Sequence, residues 1–352
     1  MKPLSIPETR LLLRRRTGIR FCILLTSTGI LILAVLFSAV VGAVRLAPAA
    51  VLRAFWAGLS GTHTAALSPG ELAVVWNIRL PRIVLSLFAG ASLALGGTAM
   101  QGITRNPLAS PYTLGISAAA AFGASLAIVL GLNRLIIPLA FLTALFSLLL
   151  VLLFAFKGQM RAESLILAGI AVMFAFSAGT SLLQYLADQD ELARIVFWLM
   201  GSFSNASWLA VLILGLFFLG AMPVLHALAR PMNILASGEE SAKSLGVSPR
   251  RVHLRVLIVV TALSAVIVSF SGVIGFAGLA APHIARRLLG GDYRLLFPAS
   301  ALCGAFLLLV SDTLARTLLG GTELPIGIIT SFIGVPVLIS ILLSRRSSRR
   351  EG

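Results

Sequence analysis

Charged residues are scarce in this sequence: 11% of 352 positions, with 12 acidic side chains against 28 basic ones. So little charge excludes an ordinary soluble globule, in which about a quarter of residues are charged. Cysteine is scarcer still. Cys22 and Cys303 both lie inside apolar runs, which excludes a disulfide framework or thiolate metal site and makes both expected core residues. The four histidines, His63, His226, His253 and His283, are scattered without ligand spacing, so His283, beside Pro282, is expected to be structural and no metal is expected. A Gly-x4-Gly-Lys-Ser/Thr phosphate loop is also missing, so any nucleotide energy has to come from another polypeptide. No convergent set of nucleophile, base or metal ligands marks an enzyme. Asp312 is the only strong candidate acid deep in a span, and Arg316 four residues later is a ready partner. An ion-coupled secondary transporter therefore stays a remote alternative.

What the chain has instead is apolar length. Hydrophobic residues make up 58% of it and mean hydropathy is +1.01, with uncharged runs long enough to cross a bilayer. These predict an all-α polytopic membrane protein of about ten elements: 21–44, 82–104, 112–132, 135–156, 164–187, 205–228, 252–272, 276–289, 295–318 and 326–343. The eighth has the length of a half-spanning helix, and 192–201 reads as a short helix outside a full span. Residues 1–20 and 344–352 are basic flanks around a transmembrane domain at 21–343, and the run Phe21 to Val44 is too long for a cleaved signal. Placing both termini in the cytoplasm leaves only Arg45, Arg53, Arg79, Arg82, Arg134, Arg194 and Arg316 outside, 7 of the 28 basic residues. That asymmetry obeys the positive-inside rule and explains a net charge of +16 through anionic membrane lipid, without nucleic acid.

One polar island interrupts the apolar pattern, at about 237–247. Ser237 and Glu240 have capping-box spacing, Glu239 and Glu240 suit a first turn, Lys243 follows, and Gly246 is placed to cap the end. Ser248-Pro249 then starts another helix. A capped amphipathic helix outside the bilayer is expected to meet something soluble. Gly90, Gly96, Gly97 and Gly102, and later Gly272, Gly275 and Gly278, are expected to let helices approach closely. Leu108-Ala-Ser-Pro111 and Leu279-Ala-Ala-Pro282 read as matching breaks in segments of opposite direction, the mark of an inverted repeat and of a transporter.

Five separated stretches in order carry a resemblance. They are Arg79-Leu-Pro-Arg82; Met100-Gln-Gly with Arg105-Asn-Pro-Leu-Ala-Ser-Pro-Tyr-Thr-Leu-Gly115; Gly238-Glu-Glu-Ser-Ala-Lys-Ser-Leu-Gly246; Gly275-Phe-Ala-Gly-Leu-Ala-Ala-Pro-His-Ile-Ala-Arg286; and Glu323-Leu-Pro-Ile-Gly327. Together they resemble the FecCD family, permease subunits of binding-protein-dependent ABC importers for iron–siderophore complexes, haem and cobalamin. The resemblance implies a type II importer permease in the bacterial inner membrane. It would be dimeric with itself or a paralogue, with two ATPase subunits below and a periplasmic or surface binding protein above. ATP and Mg would sit on the ATPases, and this chain would bind no cofactor.

The resemblance also assigns roles. Gly238, Glu239, Glu240, Ala242, Leu245 and Gly246 would couple to the ATPase. Arg79 and Arg82, which by themselves could be interfacial anchors, would dock the binding protein; so would Arg316, unless it pairs with Asp312. Asn106, Pro107 and Leu108 would form a cytoplasmic gate. Its counterpart would lie at Ala162-Glu163, where the family pattern expects small polar residues. The fifth and tenth elements, with Gly169, Ser177, Gly179, Thr180 and Ser181 in one and Gly327, Thr330, Ser331 and Gly334 in the other, would flank the translocation path, although small residues equally suit tight packing. Ferric siderophore is the expected cargo, from Pro111-Tyr-Thr-Leu-Gly115 and Trp198-Leu-Met-Gly-Ser202; cobalamin or haem is the alternative.

Overall fold

The computed structural model describes residues 6–42, 46–61, 68–157, 162–319 and 322–348, and every regular element among them is a helix. In chain order these are α1 (Ile6–Val40), α2 (Pro48–Ser60), α3 (Pro69–Ala73), α4 (Leu80–Thr104), α5 (Ile116–Val129), α6 (Ile136–Lys157) and α7 (Ala162–Leu186). There follow α8 (Gln189–Met200), α9 (Trp208–Leu235), α10 (Glu239–Ser244), α11 (Pro249–Ser271), α12 (Ala277–Leu289), α13 (Tyr293–Thr317) and α14 (Ile326–Ser348). Each expected element coincides with a helix. Seven helical stretches are long and apolar enough to cross a membrane, α5 is a shorter apolar helix, α14 is apolar over Ile326–Ser340, and α12 has 13 residues. The short helix expected near 192–201 is α8, started by a reciprocal capping box between Asp188 and Glu191.

Several boundaries differ from expectation. α1 continues back to Ile6, and the expected end of its run at Val44 lies outside the described residues. α4 begins at Leu80, close to the expected 82, but the helix does not start afresh there: α3 runs into it through a π-helical turn at Val74–Arg79 in which the Leu80 amide donates to the Val75 carbonyl. That wider turn accommodates Pro81, whose ring and missing N–H an α-helix interior would not tolerate. The Leu-Ala-x-Pro stretches are not matched breaks: Pro111 opens a 3-10 turn, Pro111–Leu114, while Pro282 lies inside α12. The corresponding break in the later half is at 272–276, where Gly272 and Phe276 have positive φ. Cys22 is exposed on α1 rather than buried, and Cys303 is half-buried.

α4 is the central helix, packed on α13, α11, α12 and α9. A Cβ on Gly90 would run into the Gly304 carbonyl, and one on Gly97 into the Gly278 carbonyl. In lipid, where leaving the solvent gains apolar side chains little, such close backbone approach is a main source of helix association. A second junction joins the ends of α8 and α11 to the start of α14: Ser202 N–H donates to the Ser271 carbonyl at 2.8 Å, and Ile326 N–H to the Gly201 carbonyl at 3.0 Å. Gly201 and Gly272, both left-handed, leave no room for a side chain there.

Candidate functional site

At one end of the bundle three arginines are drawn inside. Arg79, Arg82 and Arg316 are only 4%, 3% and 6% exposed. Arg82 Nε donates to Asp312 Oδ1 at 2.8 Å, and its Nη1 reaches both oxygens of Glu323 at 2.8 and 2.7 Å. Arg316 Nε approaches Asp312 Oδ2 to 3.1 Å, an ion pair without hydrogen-bond alignment. Its Nη2 donates to Ser38 Oγ at 2.8 Å. Arg79 Nη1 donates to the carbonyls of Ala39 and Val40 at 2.9 and 3.0 Å, which are among the last carbonyls of α1 and lack helical partners. The cluster thus ties α1, the π-turn, α4 and α13 to the segment before α14. The three arginines expected to dock a binding protein are turned inward in this chain taken alone. Burial demands a partner for each guanidinium, and the chain supplies it internally. Glu323, 45% exposed, is the member of the cluster that faces out.

The sequence reading missed Ser38, which carries no signal, and Glu323, which opens a quoted motif but had no role. It also missed Tyr112, whose hydroxyl donates to the Ile274 carbonyl and pins the 3-10 turn to the 272–276 break.

The opposite end is rich in arginine and holds the other expected groups. α4 ends at Arg105, in the left-handed region at φ 49°. Asn106 Oδ1 accepts from the Leu108 amide at 3.0 Å, an Asx turn that reverses the chain. Leu108 is left 46% exposed. The Pro107 carbonyl accepts from His283 Nε2 at 2.8 Å, so His283 binds the turn to α12. Arg105 Nη2 donates to the Leu235 carbonyl at 3.1 Å, linking the turn to the last residue of α9. Ala162 and Glu163 begin α7, and residues 158–161 before them lie outside the described residues.

α10 follows α9 directly. Its expected capping box is not formed: the N-cap is Gly238 at φ 129°, and Ser237 Oγ donates instead to the Ile234 carbonyl at 2.7 Å. Ser237 lies one residue too early, still held by the end of α9. The C-terminus follows expectation. Gly246 has φ 79°, its amide donates to the Lys243 carbonyl at 3.0 Å, and the Val247 amide donates to the Ala242 carbonyl at 2.9 Å, a Schellman closure. Glu240, Leu245 and Gly246 are exposed, Gly238 and Glu239 half-buried, and Ala242 fully buried. Ala242 therefore anchors α10 instead of meeting a partner. A cleft of about 530 Å3 runs beside α10 between Glu239, Lys243 and Phe156, with Arg250 stacked 5.1 Å above the Phe156 ring.

The expected path residues divide. Gly169, Thr180 and Thr330 are buried, and Gly169 lies against the Thr113 carbonyl, so these three serve packing. Ser177 and Ser181 are exposed on α7. Ser331 lines an apolar cleft of about 700 Å3 with Met200, Val273, Phe332 and Val335. α7 packs on α5 and α6, and α14 on α13, α12 and α8. Their outer faces, among them Phe174, Tyr185 and Phe332, are uncovered.

The family model for the FecCD transport family matches residues 30–344. The chain is 39% identical over 285 residues to the hemin transport system permease HmuU of Yersinia pestis, covering 78% of this chain and 85% of that protein. It is 38% identical over 320 residues to the molybdate import system permease MolB of Haemophilus influenzae, covering 90% and 93%. A solved structure described as a metal-chelate type ABC transporter in an inward-facing conformation superposes with a TM-score of 0.80 at 36% identity, covering 92% of this chain and 99% of that one.

Proposed function

The chain belongs to the FecCD transport family and is a membrane-embedded ABC importer permease, and from this we propose that it carries ferric iron–siderophore complexes inward across a bacterial inner membrane. A binding protein delivers the cargo, a second permease subunit completes the path, and two ATPases supply the energy. The chelate reading is supported by likeness to a metal-chelate type transporter over 92% of the chain. Haem is the second reading, supported by the hemin permease relative. Molybdate in another relative's name means that the scaffold alone does not select the cargo.

The observation that carries the coupling mechanism is a short mechanical line at the arginine-rich end, placed in the cytoplasm by the positive-inside rule. α10 offers Glu240, Leu245 and Gly246 to an ATPase and packs on α9. The last carbonyl of α9 holds Arg105, the residue before the Asn106-Pro107-Leu108 turn. A displacement of α10 therefore reaches the turn through one helix end and one hydrogen bond. The uncovered faces of α7 and α14, with Ser177, Ser181 and Ser331, become walls of the path once a second subunit stands opposite.

Two measurements test this. Proteoliposomes holding the full transporter should accumulate labelled ferric siderophore with ATP, and not cobalamin or haem; uptake of haem alone would transfer the assignment to the second reading. Asn106→Cys and Leu108→Cys, in a background with Cys22 and Cys303 replaced, should cross-link between subunits with a yield that ATP changes. No cross-link in any nucleotide state of a confirmed dimer would remove the turn from the gate.

A further inference from the structure

A cleft of about 710 Å3 opens at the arginine-rich end between the end of α4, the linker after α9, α12 and α14. Arg105, Arg286 and Arg287 line it, and among the described residues no carboxylate does. None of the three forms an ion pair among the described residues. Arg105 and Arg287 are exposed and Arg286 half-buried, so their charge is open to a ligand. Like charges around a concave wall focus a positive potential into it.

Gln101 also lines this cleft, 4% exposed, and its Oε1 is buried without a hydrogen-bond partner. Its Nε2 lies 3.5 Å from the Leu279 carbonyl, which orients the amide and leaves the oxygen as the unmatched atom. The Tyr293 hydroxyl lies alongside, in space kept open by Gly102. The site thus requires an anion for its guanidiniums and a donor for its amide oxygen. A ligand that joins a phosphate oxyanion to a hydroxyl group meets both needs, and the apolar side chains of Ile284 and Val337 in the lining favour one that is attached to acyl chains.

We propose that this cleft binds the oxyanion of a hydroxyl-bearing phosphate, supplied by an anionic phospholipid headgroup such as phosphatidylglycerol or by free hydrogen phosphate. Bound there, it bridges Arg105 to Arg286 and Arg287, reinforcing the His283 bond to the Pro107 carbonyl and steadying the turn against α12. The site rests on chemistry separate from cargo identity.

Native mass spectrometry of the full-length protein from mixed micelles tests it. Phosphatidylglycerol should be retained about tenfold over phosphatidylcholine, and the triple variant R105Q/R286Q/R287Q should lower that retention about tenfold, as expected when several guanidiniums near the membrane surface are removed. The control R230Q/R251Q/R255Q, at the same end and outside the cleft, should leave it unchanged. Gln101→Leu should abolish preference for phosphatidylglycerol over phosphatidylmethanol, which lacks the hydroxyl. Displacement of lipid by millimolar hydrogen phosphate at constant ionic strength identifies the free anion as the ligand; resistance identifies the lipid. Equal retention of phosphatidylglycerol and phosphatidylcholine, or equal loss in both triple variants, overturns the site.

Discussion

Both ends of the bundle gather arginines, and they treat them in opposite ways. At one end Arg79, Arg82 and Arg316 are buried and bonded to Asp312, Glu323, Ser38 and the last carbonyls of α1. At the other, Arg105, Arg286 and Arg287 surround an open cleft with no carboxylate among the described residues of its lining. A guanidinium removed from water must be paired or it destabilises the fold, whereas one left at the surface can wait for a ligand. The first set therefore holds helices together, and the second, apart from the Arg105 bond to the Leu235 carbonyl, is free to bind. Arginine content alone does not distinguish them.

The largest expected effect breaks the buried end. Asp312→Asn takes one negative charge from between Arg82 and Arg316 and should cost about 3–5 kcal/mol, the usual penalty for stranding a buried charge. Thermal unfolding in detergent should show a clear fall in Tm. Arg286→Gln should leave Tm nearly unchanged; equal losses from both would erase the contrast.

A smaller effect concerns α10, at the open end. Gly246→Val puts a β-branched side chain at φ 79°, a left-handed position that costs about 1–2 kcal/mol per non-glycine residue. The Schellman closure should fray, and ATPase co-purification and transport should fall while the protein still inserts. Glu240→Arg, which leaves the fold intact, should lose coupling as well. Full transport in both variants would remove the role given to α10.

A third change sharpens the comparison by geometry. Arg82→Lys keeps the charge but cannot hold both Asp312 and Glu323, so it should cost about 1–3 kcal/mol for the lost charged hydrogen bonds. Arg286→Lys, in an open cleft, should cost almost nothing by the same melting assay.

The smallest expected effect lies at Asp292, between α12 and α13. Burial pushes its carboxyl upward, but the hydrogen bonds from Asn233 and the Arg294 amide, with the nearby Arg294 and Arg20 charges, outweigh this and hold it below the usual carboxylate value. A lowered folded value means that the contribution is complete above about pH 4, the unfolded carboxylate's range, and is lost as pH falls through the folded value. Asn233→Leu should flatten the acid limb of a Tm-against-pH curve. An unchanged acid limb would show that the Asn233 bond does not set this value.

Much of the architecture was legible along the chain because membrane spans announce themselves by length and apolarity. Gly90 and Gly97 were readable as close-approach positions, and Gly246 as a helix stop, since each follows from local geometry. The join of α3 to α4 was not, because Pro81 resembles a helix start until a π-turn lets the helix pass. The capping box at Ser237 failed for a similar reason: spacing fits, but that residue still belongs to the end of α9. Among path residues, composition could not separate Thr180 and Thr330, buried against neighbouring helices, from Ser181 and Ser331, since small side chains serve packing and corridor alike.

The sequence by itself determined class, approximate span order, charge asymmetry and the family motifs, all of which depend on residue type and local order. Tertiary structure decided which arginines are paired. Arg82 meets Glu323 across 241 positions and Asp312 across 230, and such contacts arise only when α4 and α13 cross closely enough, at glycines, to bring distant charges into one water-poor space.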